Sequence, residues 1–203
     1  MIGIIDYGAG NIGNVERAFK YLNEEVCIID NGNDISNNLS LLVLPGVGSF
    51  AAGKAGLEKR NLVKPIIEYI ESGQPFLGIC LGLQLLFAES QESGLASGLG
   101  IFEEECLRFD SDKIRRVPQI GWNKIETIEE SGVFNDLPDH YFYFVHSYYV
   151  PVIADLTVAK SDYGGQEFTA ILNRDNIWGI QPHPEKSGRT GLKFLENLIG
   201  VIK

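Results

Sequence analysis

The chain has 203 residues, 44% of them hydrophobic and 22% charged, with a formal net charge of −10. That composition suits one globular α/β domain spanning residues 1–203 with a sizeable core. The excess of negative charge argues against nucleic acid or an anionic membrane surface as the main partner. Three cysteines, Cys27, Cys80 and Cys106, form no CxxC pair, so neither a disulfide framework nor a zinc site is expected, and a reducing compartment fits. The opening "MIGIIDYGAGN" has no basic leader, and no apolar run approaches the ~20 residues of a membrane span. A soluble cytoplasmic protein is the expectation.

In chain order, "IGIID" (2–6) reads as a short apolar strand. "NVERAFKYL" (14–22) follows at helical spacing, with Val15, Phe19 and Leu22 on one face. "EVCIID" (25–30) and "LSLLVLPG" (39–46) are further apolar strands, "LVKPIIEYIE" (62–71) is a helix that Pro65 begins or kinks, and "PFLGI" (75–79) is the next strand. Beyond Cys80, "LGLQLLF" (81–87) reads as a buried helix. After about residue 98 the segments "IETI" (125–128), "YFYFVHSYYV" (141–150), "DLTVAKSD" (155–162), "FTAIL" (168–172) and "IWGIQ" (177–181) are strands separated by turn residues, and "TGLKFLENLI" (190–199) is a final helix. Continuous Val, Ile and Leu in strands divided by helices predict a largely parallel open central sheet, helices on both faces, with an antiparallel extension.

"GAGNIG" (8–13), between a strand and a helix and with Asp30 at the end of the next strand, has the form of a dinucleotide fingerprint. "DY" interrupts the run from strand to first glycine. The preferred reading is structural: Gly8 and Gly10 make a tight turn and Asn11 caps the helix.

"GICLG" (78–82) is different. A nucleophile held on a strained strand-to-helix turn needs small neighbours, and a cysteine there has its sulfur at a helix N-terminus, where thiolate is favoured. The backbone N–H of Leu81 would then face an oxyanion. The competing reading is a buried structural cysteine. A thiol nucleophile requires a base. His140, in "LPDHYF", reads as an exposed turn residue, and His146 lies within a strand as a core residue. His183 is flanked by Pro182 and Pro184, which hold the backbone extended, so Glu185 would share its side and could orient the imidazole. The glycine-rich turn "LPGVGSF" (44–50) follows a buried strand and should neighbour Cys80 on the same sheet rim, offering a second oxyanion donor.

"LPGVGSF", then "GICLGLQ", then "HPE", resemble the class I (triad) glutamine amidotransferases. "DYGAGN" at the start, "PQIGWN" (118–123), "YFVHSYY" (143–149) and "HPEKS" (183–187) narrow the resemblance, along the whole chain, to the glutaminase subunits of imidazole glycerol phosphate synthases. That resemblance implies the class I amidotransferase fold, no cofactor, and hydrolysis of glutamine through a glutamyl thioester on Cys80, with His183 shuttling protons and Glu185 orienting it. It implies an oxyanion hole from Gly46, Val47, Gly48 and Leu81, often misformed in the family until the partner is occupied. Glutamine would be held by Gln84, Ser147 and Tyr148. Asn11, Asn14, Arg17, Trp122, Tyr143 and Lys186 would face a (β/α)8-barrel cyclase subunit, which would receive the ammonia in histidine biosynthesis and combine it with a phosphoribulosyl-formimino carboxamide ribonucleotide. Pro182 stands where the family usually has an aromatic residue, and "IFEEECLRFDSDKIRR" (101–116) is unusually acidic. Two alternatives stay open: a paralogue supplying ammonia to a surface-sugar amidotransferase, and a non-catalytic binding subunit.

Overall fold

The computed structural model describes residues 1–92, 97–114 and 116–202. In chain order its elements are β1 (Ile2–Ile5), α1 (Ile12–Tyr21), β2 (Val26–Ile29), β3 (Leu41–Gly46), α2 (Phe50–Lys59), α3 (Val63–Glu71), β4 (Phe76–Cys80), α4 (Leu81–Gln84), β5 (Phe87–Ser90), β6 (Phe102–Arg108), β7 (Gln119–Lys124), β8 (Glu126–Thr127), β9 (Tyr141–His146), β10 (Tyr148–Tyr149), β11 (Thr157–Tyr163), β12 (Gln166–Arg174), β13 (Ile177–Ile180) and α5 (Gly188–Ile202). Short 3-10 turns occupy Gly32–Asp34, Gly132–Phe134 and Pro184–Lys186.

The main sheet has the order β2-β1-β3-β4-β13-β12-β11-β8. The first five strands are parallel and the last three antiparallel. Burial alternates between the two faces with the period of the pleat. Leu41 and Val43 of β3 and Leu77 and Ile79 of β4 pack in one core with Val15 and Phe19 of α1 and Phe194 and Leu198 of α5. Leu42, Leu44 and Phe76 point the other way, into a second core with Leu57 of α2 and Ile66 of α3. Helices on both faces explain why β1, β3, β4 and β13 are buried along their whole length. A three-stranded sheet, β10-β6-β5, and a two-stranded ribbon, β7-β9, complete the structure.

Several expectations are corrected. The helix α1 starts at Ile12, two residues early, because the Asn11 side chain caps it by accepting the Asn14 N–H at 3.3 Å. Pro65 sits in the first turn of α3, where it removes no helical hydrogen bond, and so begins the helix without kinking it. The helix expected over 81–87 is only α4. The carbonyls of Leu85 and Leu86 are taken by Leu99, Ile101 and Phe102 N–H groups, and Phe87 turns into β5. The single strand expected over 141–150 is cut at Ser147: β9 pairs with β7 while β10 pairs with β6. The helix α2 and the strands β5, β6 and β7 were not anticipated. The acidic segment 101–116 supplies β6, whose Phe102 and Cys106 are buried while Glu103 and Glu104 are exposed; its Arg115 lies outside the described residues.

β4 lies between β3 and β13 with Gly46 opposite Cys80 and Ile180 opposite Ile79. The carboxyl ends of three strands therefore meet at one rim, where ligands of open α/β sheets gather. The turn at that rim is tight. A Cβ on Gly82 would lie 1.7 Å from the Leu44 carbonyl oxygen, and one on Gly78 would lie 2.7 Å from the Gly82 oxygen. Gly82→Ala is therefore expected to destabilise the protein by about 3 kcal/mol or to displace the turn, measured as a lowered urea midpoint against wild type.

Candidate active site

Cys80 ends β4 with φ +54° and ψ −107°, a conformation a non-glycine residue rarely holds. Gly78 and Gly82 allow it, because no side chain fits beside the bend. The sulfur is thereby lifted out of the sheet at the start of α4, with the Leu81 N–H beside it. Gly46 packs against this turn; a Cβ there would fall 2.8 Å from the Leu81 Cβ. Val47 and Gly48 continue past it into the same cavity as Cys80 and Leu81. Gly48 has φ +107°, which leaves its peptide in an orientation that an L-residue would resist.

His183 follows β13 and is anchored twice. Its N–H donates to the Tyr143 carbonyl at 2.9 Å, and its carbonyl accepts the Ser187 hydroxyl at 2.6 Å. The same hydroxyl accepts the Tyr143 N–H at 2.9 Å. Nδ1 of His183 meets Glu185 Oε1 at 2.8 Å, with both side chains 2% exposed. The sequence expectation of this pair is met, but by a different route: Pro184–Lys186 form a 3-10 turn, and it is this turn, not an extended segment, that folds the carboxylate back on the ring. The other ring nitrogen, Nε2, is buried with no hydrogen-bond partner among the described residues, and Cys80 is near enough for a charge on its sulfur to bear on the ring. Burial opposes a charge on His183. Any negative charge that develops on Cys80, together with the Glu185 carboxylate, outweighs it and raises the imidazole above its usual value. Sulfur, imidazole and carboxylate are thus held at one rim, and the set can move a proton between a thiol and a buried base.

The cavity beside them measures about 450 Å³ and is lined by Gln84, Glu92, Ser147, Tyr148 and Lys186 among others. Gln84 Nε2 donates to the Tyr148 carbonyl at 2.8 Å and to Gln181 Oε1 at 3.0 Å, and Gln181 Nε2 reaches Cys80 Sγ at 3.7 Å. A wider groove of about 660 Å³ lies elsewhere, beside β8 and β11; its Lys160 is already paired with Glu126 and Glu167, and it holds no thiol. Neither Cys27 nor Cys106 lines the cavity, and burial raises both thiols above their usual value. Among the described residues no cluster of His, Cys, Asp or Glu is placed to hold a metal, and no helix is long and apolar enough to cross a membrane.

Residues 3–200 match the family model of class-I glutamine amidotransferases. The imidazole glycerol phosphate synthase subunit HisH of Desulfitobacterium hafniense is 44% identical over 97% of this chain and 92% of the relative. The protein of the same name from Methanothermobacter thermautotrophicus is 42% identical over the full length of both chains. A solved glutamine amidotransferase superposes with a TM-score of 0.74 over 98% of this chain and 99% of the other, at 18% identity. This chain belongs to the class-I glutamine amidotransferase family. It is a glutamine-hydrolysing enzyme of α/β fold.

Against that identity, the residues singled out in the amidotransferase sequence fall into two groups. Cys80, Leu81, Val47, Gly48, Gln84, Ser147 and Tyr148 line the cavity, while His183 and Glu185 form a buried pair outside its lining. Asn11, Asn14 and Arg17 lie at the start of α1, where Asn14 Oδ1 accepts from Arg17, and α1 packs on the 184–186 turn that carries Lys186. Lys186 also reaches the cavity itself. Trp122 and Tyr143 face each other across the β7–β9 ribbon, ring centroids 6.2 Å apart. Gly8 and Gly10 have φ of +88° and +116° and Asn11 caps α1, so "GAGNIG" is the turn the structural reading anticipated.

Sequence reasoning missed three site residues. Glu92 accepts the Phe50 N–H at 2.6 Å and presents its carboxylate to the cavity; no local pattern marks it. Gln181 is two residues before His183 and wholly buried, a signal available only as a polar residue closing an apolar strand. Tyr7, in "DYGAGN", buries a hydroxyl against Gly46 that has no partner among the described residues, and burial, with a smaller effect from Cys80, pushes its phenol up.

His146 is as buried as expected. Its Nδ1 lies 2.9 Å from the Tyr148 carbonyl and its Nε2 3.1 Å from the Gln119 side-chain amide. Burial, with a smaller contribution from His183, lowers it to about 4 against the hydrogen bond to Tyr148. Between about pH 6.5 and 4 the unfolded amidotransferase binds a proton here and the folded one does not. Stability should therefore fall by about 3 kcal/mol as pH drops through that window. A His146→Gln variant should show a shallower loss, read from urea unfolding at pH 7, 5.5 and 4.

Proposed function

We propose that this amidotransferase is the glutaminase subunit of an imidazole glycerol phosphate synthase, working through Cys80, His183 and Glu185. The observation that carries the reading is the buried His183 ring, clamped by Glu185 on one nitrogen and open toward the Cys80 sulfur on the other. Relatives named as imidazole glycerol phosphate synthase subunit HisH, 44% and 42% identical over nearly the whole chain, support the choice of synthase.

In this mechanism the Cys80 proton passes to His183 Nε2 and the thiolate attacks the side-chain amide carbon of glutamine. The oxyanion meets the N–H of Leu81 and of the 46–48 loop. The His183 proton then goes to the departing nitrogen, so ammonia leaves and a glutamyl thioester remains. His183 next takes a proton from water, hydroxide attacks the thioester, and glutamate and the thiol are released. Glu185 stabilises the imidazolium in both halves. Gln84 has its Nε2 committed to Tyr148 and Gln181, which leaves its oxygen for a substrate donor. Ser147 and Tyr148 close the cavity over glutamine, and the Glu92 carboxylate suits its ammonium group.

The partner is a (β/α)8-barrel synthase subunit. What supports a docking face is the outer side of the β7–β9 ribbon, where Ile120, Trp122 and Tyr141 are 64%, 58% and 49% exposed, beside Asn11, Asn14, Arg17 and Lys186. Apolar side chains gathered on one ribbon face are the usual core of such an interface.

Two measurements test the reading. With its barrel partner and glutamine, the wild type should release glutamate and convert the ribonucleotide to imidazole glycerol phosphate. Cys80→Ala should abolish both while leaving the complex intact by size exclusion. Glutamate release without the imidazole product would remove the assigned acceptor, and turnover in Cys80→Ala would remove the nucleophile. Trp122→Ala should weaken association with the barrel roughly tenfold or more, by calorimetric titration, with an unchanged circular dichroism spectrum.

A further inference from the structure

Gln181 has no exposure to solvent. Its backbone N–H is fixed to the Ala170 carbonyl at 2.8 Å. Its side-chain oxygen accepts from Gln84 at 3.0 Å, and its side-chain nitrogen donates to Cys80 Sγ at 3.7 Å. Gln84 in turn lines the cavity and holds the Tyr148 carbonyl. The sulfur also has a polar contact with the Val145 carbonyl, at 3.9 Å.

These two contacts treat the protonation states of sulfur differently. A thiol can donate to the Val145 carbonyl. A thiolate has no proton to give, is repelled by that oxygen, and gains from the Gln181 N–H, a charge-assisted bond stronger than its neutral counterpart. A primary amide buried this deeply costs more than an apolar side chain of the same volume unless its groups are matched. Here they are matched to the two side chains that face the cavity.

We propose that Gln181 is a positioning residue for the glutaminase reaction: its amide steadies the Cys80 sulfur as an anion and, through Gln84, links that sulfur to the substrate cavity. The inference rests on Cys80 being the nucleophile. Because Gln84 and Gln181 share one hydrogen bond, a glutamine substrate that draws on the Gln84 oxygen polarises the Gln84 amide, and the Gln181 amide with it, toward the sulfur.

The test uses the complex with the synthase subunit. Gln181→Met keeps the volume and removes both polar groups. Its kcat should fall roughly ten- to a hundredfold, the worth of one hydrogen bond to a charged group, with KM within about threefold of wild type. The pH midpoint for iodoacetamide alkylation of Cys80, followed by mass spectrometry, should rise by about one unit. Gln181→Glu keeps the shape but sets a carboxylate against the sulfur, and should raise the midpoint further. If Gln181→Met fails to fold, the Glu variant carries the test alone. Folded variants with wild-type kcat and midpoint overturn the inference, as does a fall in kcat with an unmoved midpoint, which marks a packing role. Cys80→Ala separates the two readings: its inactivity beside wild-type behaviour at Gln181 rejects the inference alone, whereas activity in Cys80→Ala rejects the nucleophile itself.

Discussion

The close approach of Gly82 to the Leu44 carbonyl is the constraint on which the site rests. With no room for a side chain, the chain leaving β4 can bend directly over the end of β3, and Cys80 is forced into its positive-φ turn. Strain of this kind costs about 1–3 kcal/mol and persists only where surrounding structure overdetermines it. Here the surrounding structure is the pairing of β4 with β3 and β13, the burial of β4 on both faces, and the packing of Gly46 on Leu81. Loosening any of these would let the thiol relax into the sheet, away from His183.

The base is held by a second, independent device. His183 is tied to β9 through the Tyr143 carbonyl and to the following turn through Ser187, whose hydroxyl also accepts from Tyr143. The nucleophile therefore belongs to the main sheet, while the base is fastened to a ribbon outside it. Val145, two residues along the same ribbon, offers its carbonyl to the sulfur. β9 thus touches both halves of the pair, and Gln181 joins them to the substrate cavity from the β13 side.

Much of this was legible in the residues. Continuous apolar strands gave a parallel sheet because helices cover both faces, and glycines around Cys80 signalled the bend because only glycine fits there. Asn11 was readable as a cap because its oxygen sits three residues before a free N–H. What escaped was non-local. The helix after Cys80 stops at Gln84 because the N–H groups of Leu99, Ile101 and Phe102 claim the Leu85 and Leu86 carbonyls that would have continued it, and no window around residue 85 contains that information. The break at Ser147 has the same origin, since β9 and β10 find different partners. Glu92 reaches the cavity only because Phe50, distant in sequence, offers its N–H. The acidic run at 101–116 obscured β6, whose buried Phe102 and Cys106 are spaced among charged neighbours. The contact of Glu185 with His183 was anticipated, but from an extended backbone; a 3-10 turn does it.

The ribbon of β7 and β9 pairs as a strand with neither larger sheet and is tied to β11 through side chains, Asn123 donating to the Asp162 carbonyl and Ser161 to the Lys124 carbonyl, each at 2.8 Å. Its inner face is seated on the main core by Phe142 and Phe144, both fully buried beside Phe168 and Phe194. One strand of it carries the exposed Trp122, and the other offers the Tyr143 carbonyl that holds the His183 backbone and the Val145 carbonyl that grazes the sulfur. An outward-facing aromatic and the backbone that borders both reacting groups thus belong to a single two-stranded element.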